Sequence, residues 1–175
     1  MATNDITTRM VNGAWNLAPD AGRLEWRWHD FSDLSAHDLY ALLALRQEVF
    51  ILEQRCLYPD IDGSDQAAQH LLGWHNGDGA ARLVAYLRCF EPGVKYAEAA
   101  LGRIVTAPAV RGQGLGSALV QQGIAQVQGR FPAQAIRISA QAHLEDFYRR
   151  FGFESSSAPY DEDGILHIDM LRAAF

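Results

Sequence analysis

The chain has 175 residues, the size of one domain, and at that length it buries roughly 70% of the surface its unfolded form exposes, so it needs neither disulfide nor metal to hold a core. Its 49% hydrophobic and 21% charged residues exclude disorder and a coiled coil, and its net charge of −6 argues against a nucleic-acid binder, which is usually basic. No apolar run approaches a membrane span, the opening MATNDITTRM lacks a signal-peptide pattern, and Cys56 and Cys89 form no disulfide or zinc framework, so the expectation is a soluble, cytoplasmic, single-domain protein.

Residues 1–23 are polar and turn-rich and read as an N-terminal extension, with the domain in 24–175. Residues 24–30 alternate Leu24, Trp26 and Trp28 against Glu25, Arg27 and His29, a half-buried strand. Ser35 with Asp38 three residues later resembles a capping box. The helix behind it puts Leu39, Leu42, Leu43 and Phe50 on one stripe. Arg46 falls on that stripe, where a charge needs a partner. Residues 58–69 read as an acidic loop, 70–74 as a strand, Asn76-Gly77-Asp78-Gly79 as a hairpin turn, and 80–90 as its second strand. Residues 97–106 form another strand. Past Pro108, a helix carries Gly116, Val120, Ile124, Val127 and Phe131 on one face and stops at Pro132. A strand at 135–140, a short helix at 143–151 and strands at 153–157 and 165–171 follow. This order predicts an α/β (α+β) fold, a mixed sheet with helices on both sides.

Between Glu98 and Glu145 there is no carboxylate, so residues 99–144 carry +4 from Arg103, Arg111, Arg130 and Arg137, leaving −10 for the rest. Two readings stand: a buried sheet and helix that simply lack carboxylates, or an anion-binding segment kept free of like charge.

Inside it lies Arg111-Gly112-Gln113-Gly114-Leu115-Gly116-Ser117, after a strand and at the start of a helix. Glycines there let the backbone approach a ligand, and the free N–H groups of a helix start attract phosphate. A P-loop needs Lys after its last Gly, where Ser117 stands. A dinucleotide fingerprint needs G-x-G-x-x-G and an acid roughly 20 residues on. The spacing here is G-x-G-x-G, and no acid precedes Glu145. Both are excluded.

With Ile104-Val105-Thr106-Ala107-Pro108 before it, the segment resembles the acyl-CoA pyrophosphate loop of the GNAT acetyltransferase superfamily. That pattern, Arg/Gln-x-x-Gly-x-Gly/Ala, falls on Arg111, Gly114 and Gly116. Phe147-Tyr148-Arg149-Arg150-Phe151-Gly152-Phe153 resembles the family's helix-to-strand segment, and a helix and a strand separate the two motifs as the family requires. The likeness runs over roughly residues 24–172. Leu45-Arg46, Val49-Phe50, Glu53-Gln54, residues 60–65, His70-Leu71-Leu72-Gly73-Trp74 and Asp163-Gly164 with His167 look like the ElaA-like branch.

The resemblance implies a central mixed, mostly antiparallel twisted sheet of about seven strands with helices on both faces. It implies an N-acetyltransferase that uses acetyl-CoA as co-substrate and no metal. The acceptor is a primary amine of a small molecule or peptide, which attacks directly through a tetrahedral intermediate. A strand near the C-terminus offers an edge for a homodimer, as the family often uses. Two alternatives stay open. One is an acyl-homoserine-lactone-synthase-like acyltransferase, which Arg46, Val49-Phe50 and Asp60-x-Asp62-x-x-Asp65 also resemble. The other is a non-catalytic acyl-CoA-sensing module.

By the same resemblance, the pantetheine arm lies beside Ile104, Val105 and Thr106 as an added strand would, with a main-chain N–H nearby for the oxyanion. Amides of Gly112, Gln113, Gly114, Leu115, Gly116 and Ser117 hold the pyrophosphate, aided by Arg111. Tyr148 matches the general acid, since a phenol is protonated at neutral pH and donates to a departing thiolate. Gln141 stands where the family often has Asn on the pantetheine, with a longer arm. The base is open between Glu98, which shares strand parity with Ile104 and Thr106, Glu53 near the acceptor side, and a water chain. The plainer explanation of Glu53 is a salt bridge to Arg46. His70, His75, His143 and His167 are scattered and read as satisfied surface or core histidines. The loop of Asp60, Asp62 and Asp65 fails as a calcium loop because Leu71 stands at its twelfth position. It is either a capped solvated turn or an acceptor-pocket wall that attracts a cationic amine.

Overall fold

The computed structural model describes residues 23–77 and 80–174. The expected N-terminal extension, save Arg23, and the Asp78-Gly79 half of the hairpin turn lie outside the described residues. Among the described residues, eight strands form one sheet: β1 (Arg23–Asp30), β2 (Gln69–Asn76), β3 (Arg82–Phe90), β4 (Ala99–Thr106), β5 (Ile136–Gln141), β6 (Glu154–Ser155), β7 (Tyr160–Glu162) and β8 (Ile165–Arg172). Their order is β1-β2-β3-β4-β5-β8-β6, with β7 also on β8. The short β7, which pairs Tyr160 with His167, is the strand beyond the expected seven. All pairings are antiparallel except β4 with β5.

Strand alternation sorts the side chains between two layers. Ile136, Ile138 and Ala140 of β5 and Ile168 and Met170 of β8 are buried beneath α2 (Leu115–Arg130). Arg137, Ser139 and Gln141 turn to the other face. α2 contributes Leu119, Val120, Gly123, Ile124 and Val127. Gly123 keeps the helix close to the sheet: a Cβ there would lie 2.9 Å from Leu87 Cδ2 and 3.0 Å from Leu101 Cδ1. The opposite face packs α1 (Ala36–Arg46), whose Leu42 and Leu45 meet Leu72, Tyr86 and Val105. Ser35 Oγ accepts from the Asp38 amide at 3.0 Å, so the expected cap forms. Leu39 and Leu43 are only half-buried. The helix runs on as a wider π-type coil over Gln47–Glu53, which keeps Val49 and Phe50 in the same core.

Among the described residues, β4 and β5 pair only at Ala99 with Ile136 and Ala100 with Arg137. Beyond that the two strands part. β4 also bulges: Gly102 faces Arg88, but Val105 faces Tyr86, and Arg103 adopts a left-handed φ of 50°. An extra residue reverses the alternation. Ile104 and Thr106 therefore share a face with Leu101, and Glu98 shares its face with Ala100 and Gly102. The parity between Glu98 and Ile104 does not survive the bulge. Among the described residues, no helix is long and apolar enough to cross a membrane.

Candidate active site

The parting of β4 and β5 opens a cavity of about 380 Å³. Its walls come from β4, β5, the coil after α1 and the β7–β8 turn, and from Tyr148 on α3 (Glu145–Arg149). At the end of β4 the chain makes a short turn over Pro108–Val110 and enters α2 through Gly112 and Gly114, at φ 76° and 79°. Side chains rarely adopt these angles, which explains the two glycines. Ser117 and Ala118 donate their amides to Gly114 O at 3.0 and 3.3 Å. Among the described residues, the amides of Gly112, Gln113, Gly114, Leu115 and Gly116 donate to no protein acceptor. Five of the six amides expected to hold phosphate are thus open, while that of Ser117 is spent inside the helix. Open amides at the positive end of a helix suit an anion.

The charge reading needs correction. Each arginine of the carboxylate-free segment is paired with an acid from outside it. Arg103 Nε reaches Asp60 at 2.7 Å, Arg111 reaches Glu53 at 2.8 Å, Arg130 reaches Glu91 at 2.8 Å, and Arg137 reaches Glu98 at 3.1 Å and Asp169 at 3.2 Å. The segment is no basic field. What it offers an anion is main-chain dipoles.

The two carboxylates expected as bases are corrected by the same pairs. Glu53 binds Arg111 through both oxygens, not Arg46, and those hydrogen bonds hold its carboxyl below the ordinary value. Glu98 is likewise held down by Arg137 and sits on the face that the bulge separates from Ile104. Neither lines the cavity.

Arg46 finds its partners in the acidic loop. It is wholly buried and donates to Asp60 Oδ2 and Asp65 Oδ1, both at 2.8 Å. Arg88, 1% exposed, donates to Asp65 Oδ1 at 2.8 Å and to both oxygens of Asp62 at 2.8 and 2.7 Å. With Arg103 on Asp60 and Asp62, three guanidiniums meet three carboxylates. The loop therefore offers no free negative charge, and its expected attraction for a cationic acceptor is withdrawn. Arg88 was missed because nothing near it in sequence marks its partners.

Tyr148 is buried with its ring edge-on to Phe147 and Phe153. Burial pushes its phenol above the ordinary value, and among the described residues its hydroxyl has no hydrogen-bond partner. Gln141 donates Nε2 to Gln54 Oε1 at 3.0 Å, linking the end of β5 to the coil after α1. Ile104 lines the cavity, Val105 is packed under α1, and Thr106 O accepts from Arg111 at 3.3 Å.

This forked mixed sheet is shared with solved N-acyltransferases. A solved acyl-CoA N-acyltransferase from Pseudomonas aeruginosa superposes with a TM-score of 0.81 and 40% identity, over 86% of this chain and 100% of that one. The crystal structure of Escherichia coli ElaA gives 0.79 and 39%, over 86% and 99%. The acetyltransferase (GNAT) domain profile matches residues 46–173, and the chain belongs to the GNAT acetyltransferase family. Its relatives include the UPF0039 protein sll0451 of Synechocystis, 44% identical over 85% of this chain and 94% of that protein. Protein ElaA of Escherichia coli is 40% identical over 85% and 96%.

Proposed function

We propose that the protein transfers the acetyl group of acetyl-CoA to a primary amine of a small molecule or peptide. The observation that carries this reading is the row of five open amides that follows β4, together with a cavity lined by β4, β5 and Tyr148. The amides of Gly112 to Gly116 bind the diphosphate. The β4 edge beyond Ala100, which lacks a strand partner, offers main-chain groups to the pantetheine. The amine nitrogen bonds to the thioester carbon, the carbon–sulfur bond breaks, and Tyr148 protonates the sulfur. Its buried phenol keeps that proton until the thiolate forms.

Calorimetric titration with acetyl-CoA, followed by thiol release over a panel of amines with acetyl and longer acyl donors, tests the reading. Binding without thiol release anywhere in the panel would leave the sensing module. Preference for a long acyl chain would leave the synthase-like reading. Absence of binding ends all three. Tyr148→Phe should cut kcat roughly 100-fold and leave acetyl-CoA affinity within about twofold. An unchanged kcat would remove Tyr148 from the chemistry.

Arg111 is held by Glu53, so it aids the diphosphate only after leaving that carboxylate. Both partners are 40% exposed, and such a pair is worth about 0.2–1 kcal/mol. Glu53→Gln should therefore tighten acetyl-CoA binding by roughly 1.5–5-fold. Weaker binding in that variant would mean that Glu53 positions Arg111 instead of withholding it.

A further inference from the structure

On the acyltransferase reading, whose acceptor amine arrives protonated, we propose that His167 is the general base, with Nε2 taking the proton from the acceptor's ammonium before attack. His167 lies on β8 and lines the cavity. Its neighbours Ile168 and Met170 face the core, so alternation turns His167 to the open face, between Gln141 on β5 and Tyr160 on β7. Nδ1 lies 2.9 Å from Ile165 O. A carbonyl oxygen only accepts, so Nδ1 carries the hydrogen, and in the neutral ring Nε2 carries the lone pair. Among the described residues, no protein group bonds Nε2.

A carboxylate and an aromatic ring flank the imidazole. Glu162 Oε2 sits 3.7 Å from Nδ1. The Tyr160 ring stacks at 6.3 Å and 29°, anchored by its hydroxyl to Ser139 and Asp169. Asp163 on the β7–β8 turn and Arg137 on β5 also line the cavity, with Cys56 and Tyr148 across it. The other candidates serve less well. Asp62 is saturated by Arg88 and Arg103. Burial raises the Cys56 thiol and the Tyr58 phenol, so both hold their protons more tightly. The Lys95 ammonium lies over the Phe90 and Tyr96 rings and is the rival to be tested.

The protons balance. The ammonium gives one proton to Nε2, and the imidazolium releases it to water. The free amine attacks the thioester carbon, the carbon–nitrogen bond forms and the carbon–sulfur bond breaks. Tyr148 gives its proton to sulfur and recovers one from the new amide nitrogen. Ammonium and thioester become amide, thiol and one proton in solution.

The full chain is assayed with acetyl-CoA against the standard amino acids, spermidine, tyramine and an alanyl peptide, and kcat/KM is followed against pH. The wild type should lose activity on an acidic limb. His167→Gln should lower kcat/KM roughly 100-fold, abolish that limb and keep acetyl-CoA affinity within about twofold. Free imidazole should restore part of the activity of His167→Ala. Long-range proton–nitrogen NMR of the wild type should show the Nδ1-protonated tautomer, a readout independent of any acceptor. Wild-type activity and limb in His167→Gln, an Nε2-protonated ring, or loss of the limb in Lys95→Met instead would overturn the assignment while the acyltransferase reading stands. A wild type that binds acetyl-CoA but acylates nothing in the panel overturns both.

Discussion

Gly114→Asp should weaken acetyl-CoA binding by roughly two to three orders of magnitude and leave the chain folded. Gly114 is the N-cap of α2, at φ 79°. Aspartate is a favoured cap residue, and an acid at that end is stabilised by the helix dipole. Against this stands about 1–2 kcal/mol for a side chain in the left-handed region, so the stability changes largely offset. Function has no such compensation. The new carboxylate competes for the open amides and faces the diphosphate, and two like charges about 4 Å apart repel by about 4 kcal/mol at an effective dielectric near 20. Gly114→Ala separates the two effects. It carries the backbone strain without the charge and should lose no more than about tenfold in affinity. Calorimetry with acetyl-CoA and a thermal melt decide the case. An Asp variant that binds normally would mean that the anion is held elsewhere.

The tests differ in how far they rest on sequence. The glycine turn was legible because its chemistry is local: positive φ at Gly112 and Gly114 and amides exposed by the helix start follow from residue type and order. Strand alternation was legible for the same reason, since Ile136, Ile138 and Ala140 declare their face without reference to anything distant. The candidate base was not. Glu98 was placed by parity, and parity fails at a bulge made by an arginine at positive φ. Only Gly102 beside it hints at the irregularity. Charge misled for another reason. The run from residue 99 to 144 is basic along the chain but neutral in space, because Glu53, Asp60, Glu91 and Glu98 come from elements far away in sequence or from its very edge. Arg46 was seen to need a partner, and it has two. Glu53 was the nearer choice, yet the loop 14 and 19 residues on supplies them. A buried charge announces its need in the helical stripe. Where the need is met is a tertiary fact.

That cluster makes the second large prediction. Asp65→Ala should lower the melting temperature by roughly 6–20 °C, because removing one partner from a buried pair costs about 3–5 kcal/mol and each kcal/mol is worth about 2–4 °C at this size. Asp65 Oδ1 accepts from both Arg46 and Arg88, and neither guanidinium has water to turn to. Glu91→Gln breaks an exposed pair with Arg130 and should cost under about 1 kcal/mol. The cluster also sets the response to acid. Burial alone would raise the Asp65 carboxyl, but Arg46 and Arg88 bring it below its ordinary value, and hydrogen bonds from Arg88 hold Asp62 well below. His70 donates from Nε2 to Asp65 O at 2.9 Å and accepts from the Tyr86 hydroxyl at 2.8 Å, and burial lowers its pKa. All three groups bind protons more readily unfolded than folded, so stability declines as pH falls. The His70 contribution is present above its unfolded value of about 6.5 and fades below it, and those of Asp62 and Asp65 fade below about 4. Denaturant titrations at neutral, mildly acidic and strongly acidic pH should show two successive losses, the second reduced in Asp65→Ala. An unaltered melting temperature in Asp65→Ala would mean that Arg46 and Arg88 are satisfied without it.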